Sequence, residues 1–231
     1  METYGDYTYN ARNLLKRFSH RRRFRQSIRC IPTDSSIRLL DFGCGDGLFL
    51  NRLKNTLNNG CFLIGYEPIM DSVLGNNVNI TASWEEVVAE APFDYVTCFE
   101  VLEHFDADRQ AETLKKLFHL LTNEGCLIVS VPIESGFPSL VKNLIRKFSC
   151  AKRDRPVYSI RNIVAACLKR PLPRYRTGSD YLFSHMGFYP ADLEKVFSEN
   201  FVITKKCFSP FPLLGSQLNS QIFYSLKKRT N

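Results

Sequence analysis

Between residues 37 and 132, short apolar runs alternate with stretches whose apolar positions recur every three or four residues. The first kind predicts buried strands and the second amphipathic helices. Residues 37–42 (IRLLDF) read as a strand, 48–57 as a helix, 61–66 (CFLIGY) as a second strand and 78–81 as a short edge strand. Residues 93–99 (FDYVTCF) predict a fourth strand. Residues 107–121 predict a long helix, with Asp106 or Asp108 near its cap and Leu114, Leu117, Phe118 and Leu121 on its apolar face. Gly125 is expected to break that helix before CLIVSVP (126–132) forms a fifth strand. Pro190 suits the first turn of a last helix, ADLEKVF. Residues 201–207 and 220–226 then read as two strands joined by a Pro/Gly/Ser loop, which predicts an antiparallel end to the sheet. Together these elements predict an α/β fold layered around a mostly parallel sheet, in one domain spanning residues 1–231.

Two segments stand outside the alternation. Residues 8–30 predict a basic N-terminal helix, and residues 134–188 interrupt the sheet between its fifth strand and the last helix. Inside this insert Phe137, Leu140, Val141, Leu144, Ile145 and Phe148 form one apolar stripe, and Ile160, Ile163, Val164, Cys167 and Leu168 a second. Both predict amphipathic helices, joined by the charged link AKRDRP. The expectation is a basic helical cap with its apolar stripes down on the domain and its charges in water. Peripheral membrane contact through the stripes is the alternative.

Charge follows the same division. Residues 11–30 hold eight Lys/Arg and no acid, residues 31–133 six Lys/Arg against fifteen Asp/Glu, and residues 134–190 eleven Lys/Arg against three acids. An acidic middle is thus flanked by two basic segments. The basic residues come without a recognisable RNA- or DNA-binding module, so nucleic acid ranks behind anionic small molecules as a partner. The eight cysteines are scattered and form no Cys-x-x-Cys pair, which argues for free thiols and against zinc or redox chemistry; no metal is expected. The opening METYGDYTYN does not read as a signal peptide, and no apolar run approaches the ~20 residues of a membrane span. A cytoplasmic protein is expected, free or peripheral at the inner membrane surface.

The candidate chemistry begins at LLDFGCGDGLFL (39–50), where three glycines at alternate positions separate a strand from a helix. Gly43, Gly45 and Gly47 allow a sharp turn, including positive φ, and leave room for a ligand against the main chain. Asp41 stands just before them. The position that would complete Gly-x-Gly-x-x-Gly is Leu48, and no Gly-Lys-Ser/Thr follows, which excludes a triphosphate loop. GYEP ends the second strand and places Glu67 twenty residues beyond Gly47, where a carboxylate can accept from both hydroxyls of a ribose. Pro68 and Ile69 would offer an apolar edge to a base.

LLDFGCGDG, GYEP and FDYVTCFEVLEHF, in this order, resemble the class I S-adenosylmethionine-dependent methyltransferases. The likeness covers about residues 35–133, and SHMGFYPADLEKVFSENF more loosely. It implies a Rossmann-like sheet of seven strands in the order 3-2-1-4-5-7-6, one of them antiparallel, and S-adenosyl-L-methionine as cofactor. Carried over, Asp41, Gly43, Cys44, Gly45 and Gly47 would border the methionine part, and Glu67 would hold the ribose with Pro68 alongside. Phe99, Glu100, Val101 and Leu102 would line the cofactor near its methyl group. Where the family often has an acidic residue for the adenine amine, this chain reads ASWEEV and offers Ser83 or Trp84.

Of four histidines, His119 reads as packed in the long helix and His20 lies in the basic KRFSHRRRF. His104, after the fourth strand, and His185, at the end of the insert, are the candidate bases, each weighed against a structural role in its loop. The fourth strand lacks the Asn/Asp-Pro-Pro-Tyr/Phe run of enzymes that methylate amino groups of DNA bases or glutamine. The layout loosely resembles methyltransferases of small molecules, sugars and lipid-linked saccharides. The expected function is methyl transfer to a small-molecule or glycan acceptor at oxygen, with anionic acceptors suiting the basic flanks. The alternatives are an RNA methyltransferase, a non-catalytic cofactor-binding protein and a nicotinamide-dependent oxidoreductase.

Overall fold

The structure is a computed structural model that describes residues 14–33, 36–57, 60–69, 78–134, 136–149, 157–168, 170, 172, 182, 185–216 and 218–229. The start of the N-terminal helix at residue 8 and the link AKRDRP lie outside these residues.

Seven strands form one sheet: β1 (Arg38–Phe42), β2 (Phe62–Tyr66), β3 (Asn79–Thr81), β4 (Phe93–Phe99), β5 (Leu121–Pro132), β6 (Phe201–Ser209) and β7 (Gln221–Lys228). Their order is β3-β2-β1-β4-β5-β7-β6, with β7 antiparallel to both neighbours and the rest parallel. The helices are α1 (Leu14–Arg29), α2 (Leu48–Lys54), α3 (Trp84–Ala89), α4 (Ala107–Leu120), α5 (Gly136–Ser149), α6 (Ile160–Cys167) and α7 (Pro190–Asn200). Alternation along β1 sends Leu39 and Leu40 into different cores, one built with Phe49, Leu50 and Leu53 of α2 and the other with Leu114 and Leu117 of α4 and Phe197 of α7. A central strand with helices on both faces explains why Leu39 and Leu40, on opposite faces, are both apolar and fully buried. The strand order reverses between β1 and β4, and an open α/β sheet leaves its crevice at that point, beyond the strands' carboxyl ends.

Two boundaries differ from the sequence reading. α4 ends at Leu120, well before Gly125, because Leu121 turns extended and pairs with Phe93 as the first residue of β5. Its N-cap is Asp106, whose Oδ1 accepts from the Arg109 amide at 3.0 Å. α2 is three residues shorter than expected and closes in a turn, with the Thr56 and Leu57 amides donating to the Leu53 carbonyl.

The insert contains the two expected helices, but on the first only Leu140 of the described stripe residues packs against the insert's core, while the other three face away. Glu134, 1% exposed at the end of β5, accepts from Lys142 Nζ at 3.0 Å and Arg146 Nη1 at 3.1 Å. Ser139 and Asn143, both fully buried, complete this inward polar face. Leu144, Ile145 and Phe148 point outward, Phe148 being 81% exposed. A buried carboxylate requires its cations, and that requirement outweighs the pull of the apolar stripe. On α6, Ile163 is buried while Ile160, Val164 and Leu168 are exposed. Among the described residues no helix is long and apolar enough to cross a membrane, and the seven described cysteines are free thiols.

Candidate active site

The crevice between the ends of β1 and β4 opens into a cleft of about 1560 Å³. That exceeds the several hundred Å³ of a typical single-ligand pocket, leaving room for a cofactor and a second molecule.

One wall is the glycine turn. Gly43, Gly45 and Gly47 all take positive φ, at 75°, 53° and 73°. A Cβ on Gly43 would collide with Cγ2 of Val101, so the two loops approach closely only because residue 43 lacks a side chain. At Gly45 a Cβ would meet no described atom within 4 Å, so its missing side chain leaves open space in the cleft among the described residues. Cys44 lines the cleft, while its buried thiol packs against Gly65 of β2, where a Cβ would come within 2.6 Å of the sulfur. The Glu67 carboxylate spans the turn, accepting from the Gly45 amide at 3.1 Å and the Ile69 amide at 3.3 Å. Asp41 pairs across the sheet with Thr97, whose hydroxyl donates to its Oδ1 at 2.7 Å. Burial pushes the Asp41 carboxyl up to about 7; the Thr97 bond opposes this and the charge of Glu67 adds to it. Pro68, Ile69 and Trp84 continue this wall, Trp84 meeting Phe42 and Tyr66 edge-on. Ser83 instead caps α3, its hydroxyl accepting from the Glu86 amide.

The opposite wall is the turn after β4. Phe99 packs edge-on against Phe49 and Phe223. Glu100 takes φ 58°, a left-handed conformation that costs a non-glycine residue roughly 1–2 kcal/mol. It is held there by its amide bond to the Ser130 carbonyl at 3.0 Å and by side-chain bonds from Arg23 and Gln221. Burial raises the Glu100 carboxyl above its ordinary range against the pull of Arg23. Arg23, Phe24 and Ser27 of α1 line the cleft, so the N-terminal helix is part of the site rather than an appendage.

Beyond Val101 the chain forms a single 3-10 turn, Leu102–His104, and here the insert returns. His104 Nδ1 lies 2.7 Å from the Leu182 carbonyl, and the Leu182 amide donates to the His104 carbonyl at 3.0 Å. A carbonyl only accepts, so Nδ1 carries a proton, and in the neutral ring the lone pair lies on Nε2. His185 stands beside it with ring centroids 4.9 Å apart, and both rings line the cleft. Burial pushes the His185 imidazole down to about 4, against the attraction of Glu134, so the ring is neutral at neutral pH. Fully buried Glu103 lies behind the pair, its Oε1 3.9 Å from His185 Nδ1.

The structure thus brings together most of the expected site residues: Asp41, Gly43, Cys44, Gly45, Glu67, Pro68, Phe99, Glu100, Val101, His104 and His185 line one cleft, with Gly47 at the end of its turn, whereas Leu102 is fully buried in the core instead of lining it. Arg23, Glu103 and Gln221 escape a sequence reading. Glu103 was visible inside EVLEH, but Arg23 and Gln221 meet Glu100 across separations of 77 and 121 residues.

The methyltransferase-domain family matches residues 7–170 of the chain. No curated protein shows a significant sequence match. Among solved structures, magnesium protoporphyrin IX methyltransferase from Synechocystis PCC 6803, with bound SAH, superposes with TM-score 0.57 at 13% identity, covering 95% of this chain and 89% of that one. A 1,6-didemethyltoxoflavin-N1-methyltransferase from Burkholderia thailandensis, with bound 1,6-didemethyltoxoflavin and S-adenosylhomocysteine, gives 0.58 at 14%, covering 99% and 86%. A plantazolicin methyltransferase in complex with a monoazolic desmethylPZN analogue and SAH gives 0.58 at 14%, covering 97% and 89%. At these identities the likeness is one of fold.

Proposed function

Because the chain belongs to the class I S-adenosylmethionine-dependent methyltransferases, we propose that it carries the methyl group to a hydroxyl oxygen of a small molecule or glycan. The observation that carries this reading is the pair of imidazoles, His104 and His185, at the end of the cleft beyond the Phe99–Val101 wall. The sulfonium already holds the activated group, so the protein's work is to align nucleophile, methyl carbon and sulfur in line, and orientation of this kind supplies roughly 7–11 kcal/mol. An alcohol must also lose its proton, and a histidine end to the cleft suits that demand. In this reading Asp41 and the glycine turn hold the methionine part, Glu67 the ribose, and Phe99, Glu100 and Val101 the region of the methyl. The structural neighbours solved with small molecules bound support the small-molecule part of this reading, and the oxygen rests on the two imidazoles alone.

The outward stripe on α5 supports a narrower version, in which the acceptor is lipid-linked. Phe148 and Ile160 are 81% and 64% exposed on an insert whose sequence holds eleven Lys/Arg against three acids. Apolar side chains beside positive charge suit the surface of an anionic bilayer.

The test is incubation with methyl-labelled cofactor and extract fractions separated into glycolipids, water-soluble saccharides and RNA, read by mass spectrometry. A methyl ether in a lipid-linked or soluble saccharide is expected, with His104→Ala lowering kcat by about 10²–10⁴-fold. Label on RNA, on nitrogen or carbon, or nowhere, would overturn the oxygen reading.

A further inference from the structure

We propose that Glu103, His104 and His185 bind one divalent first-row transition ion, for which Zn²⁺ and Co²⁺ are the probes, at the histidine end of the cleft. One ligand atom from each of the three side chains lies within 4.8 Å of the others. Two imidazoles and a carboxylate are a donor set suited to such ions, and three protein ligands leave a coordination position open. Glu103 Oε1 and His185 Nδ1 stand 3.9 Å apart, beyond hydrogen-bond reach. Two ligands held at about 2.0–2.2 Å from a shared ion in tetrahedral geometry would sit roughly 3.3–3.6 Å apart, so a side-chain shift of a few tenths of an ångström seats both.

The surroundings fit the same role. The bond from His104 Nδ1 to the Leu182 carbonyl fixes the tautomer and the ring's orientation, the outer-partner arrangement that orients imidazoles at metal sites. Glu103 and His104 share the rigid 3-10 turn, and the paired backbone bond from Leu182 to His104 ties the returning insert to it. Both imidazoles line the cleft, so the open position faces the space available to a second molecule. There an ion would bind a water or the acceptor's oxygen and make its proton more acidic, taking over the task of a free imidazole base. That catalytic role rests on the oxygen-acceptor reading above; the binding of the ion does not. No described cysteine belongs to the cluster.

The deciding experiment titrates untagged, metal-stripped full-length protein with Co²⁺, followed by displacement with Zn²⁺. One ion per chain is expected, with visible d–d absorption and no thiolate-to-cobalt charge-transfer band. His185→Ala, and separately His185→Gln, should lower the affinity at least about tenfold, while calorimetry with S-adenosylhomocysteine confirms that each variant is folded. Sub-stoichiometric binding, a thiolate signature, or unchanged affinity in folded variants would overturn the site. Oxygen methylation by a protein that holds no ion sinks this inference alone. A stoichiometric ion without oxygen methylation sinks the proposed reaction and leaves the site standing.

Discussion

Asp41 is 3% exposed at the end of the central strand, and burial lifts its carboxyl from 3.8 to about 7. The folded state therefore binds this proton more tightly than the unfolded one. Its contribution to stability is fully present below about pH 4 and is lost as pH rises towards 7. Asp41→Asn removes that loss while keeping an acceptor for Thr97. Thermal melts of the cofactor-free protein should show the variant's advantage growing between about pH 4 and 7 and flat above, with cofactor affinity falling. An advantage independent of pH would refute this. The positions of Asp41, the glycines and Glu67 were legible because strand, turn and helix follow one another along the chain. The reason for Gly43 was not, since its constraint is the Val101 side chain, fifty-eight residues on.

The expectation for α5 holds at Leu140 and fails at Leu144, Ile145 and Phe148, for a different reason. Its stripe of Phe137, Leu140, Val141, Leu144, Ile145 and Phe148 has the period of a buried face, and periodicity alone points it at the core. The competing face carries Ser139, Lys142, Asn143 and Arg146, and it turns inward because Glu134 sits fully enclosed at the end of β5. Lys142 and Arg146 overcome the effect of burial and hold that carboxyl below its ordinary range. One acid, outside the helix, turns Lys142 and Arg146 inward and leaves Leu144, Ile145 and Phe148 exposed. The outward face has a measurable consequence. The full-length protein should float with vesicles containing anionic phosphatidylglycerol and not with neutral phosphatidylcholine, and Phe148→Ser with Ile160→Ser should reduce recovery several-fold, because each buried apolar side chain is worth roughly 1.5–3 kcal/mol. Equal recovery with both lipids would dismiss the anionic-surface reading. The second stripe was read in part, since Ile163 is buried and Ile160, Val164 and Leu168 are not.

Across the whole molecule, the sheet order and its antiparallel strand agree with what the resemblance implied, because alternating strand and helix patterns restrict the topology strongly. What no local pattern carries is how distant segments meet. Arg23 from α1 and Gln221 from β7 converge on Glu100, and His185 reaches His104 only after the entire insert. Contacts at such separations form late in folding. During refolding from urea, S-adenosylhomocysteine binding should therefore appear with the slowest native phase, after most helical signal has returned. Cofactor binding that keeps pace with the earliest helical signal would contradict this. The sheet adds its own constraint, for β6 touches it solely through β7. A chain emerging from the ribosome has thus made its glycine turn long before that turn belongs to a finished cleft. The sulfonium must wait for the last strand to leave the exit tunnel, and a truncated product would carry the family's signature without its grip.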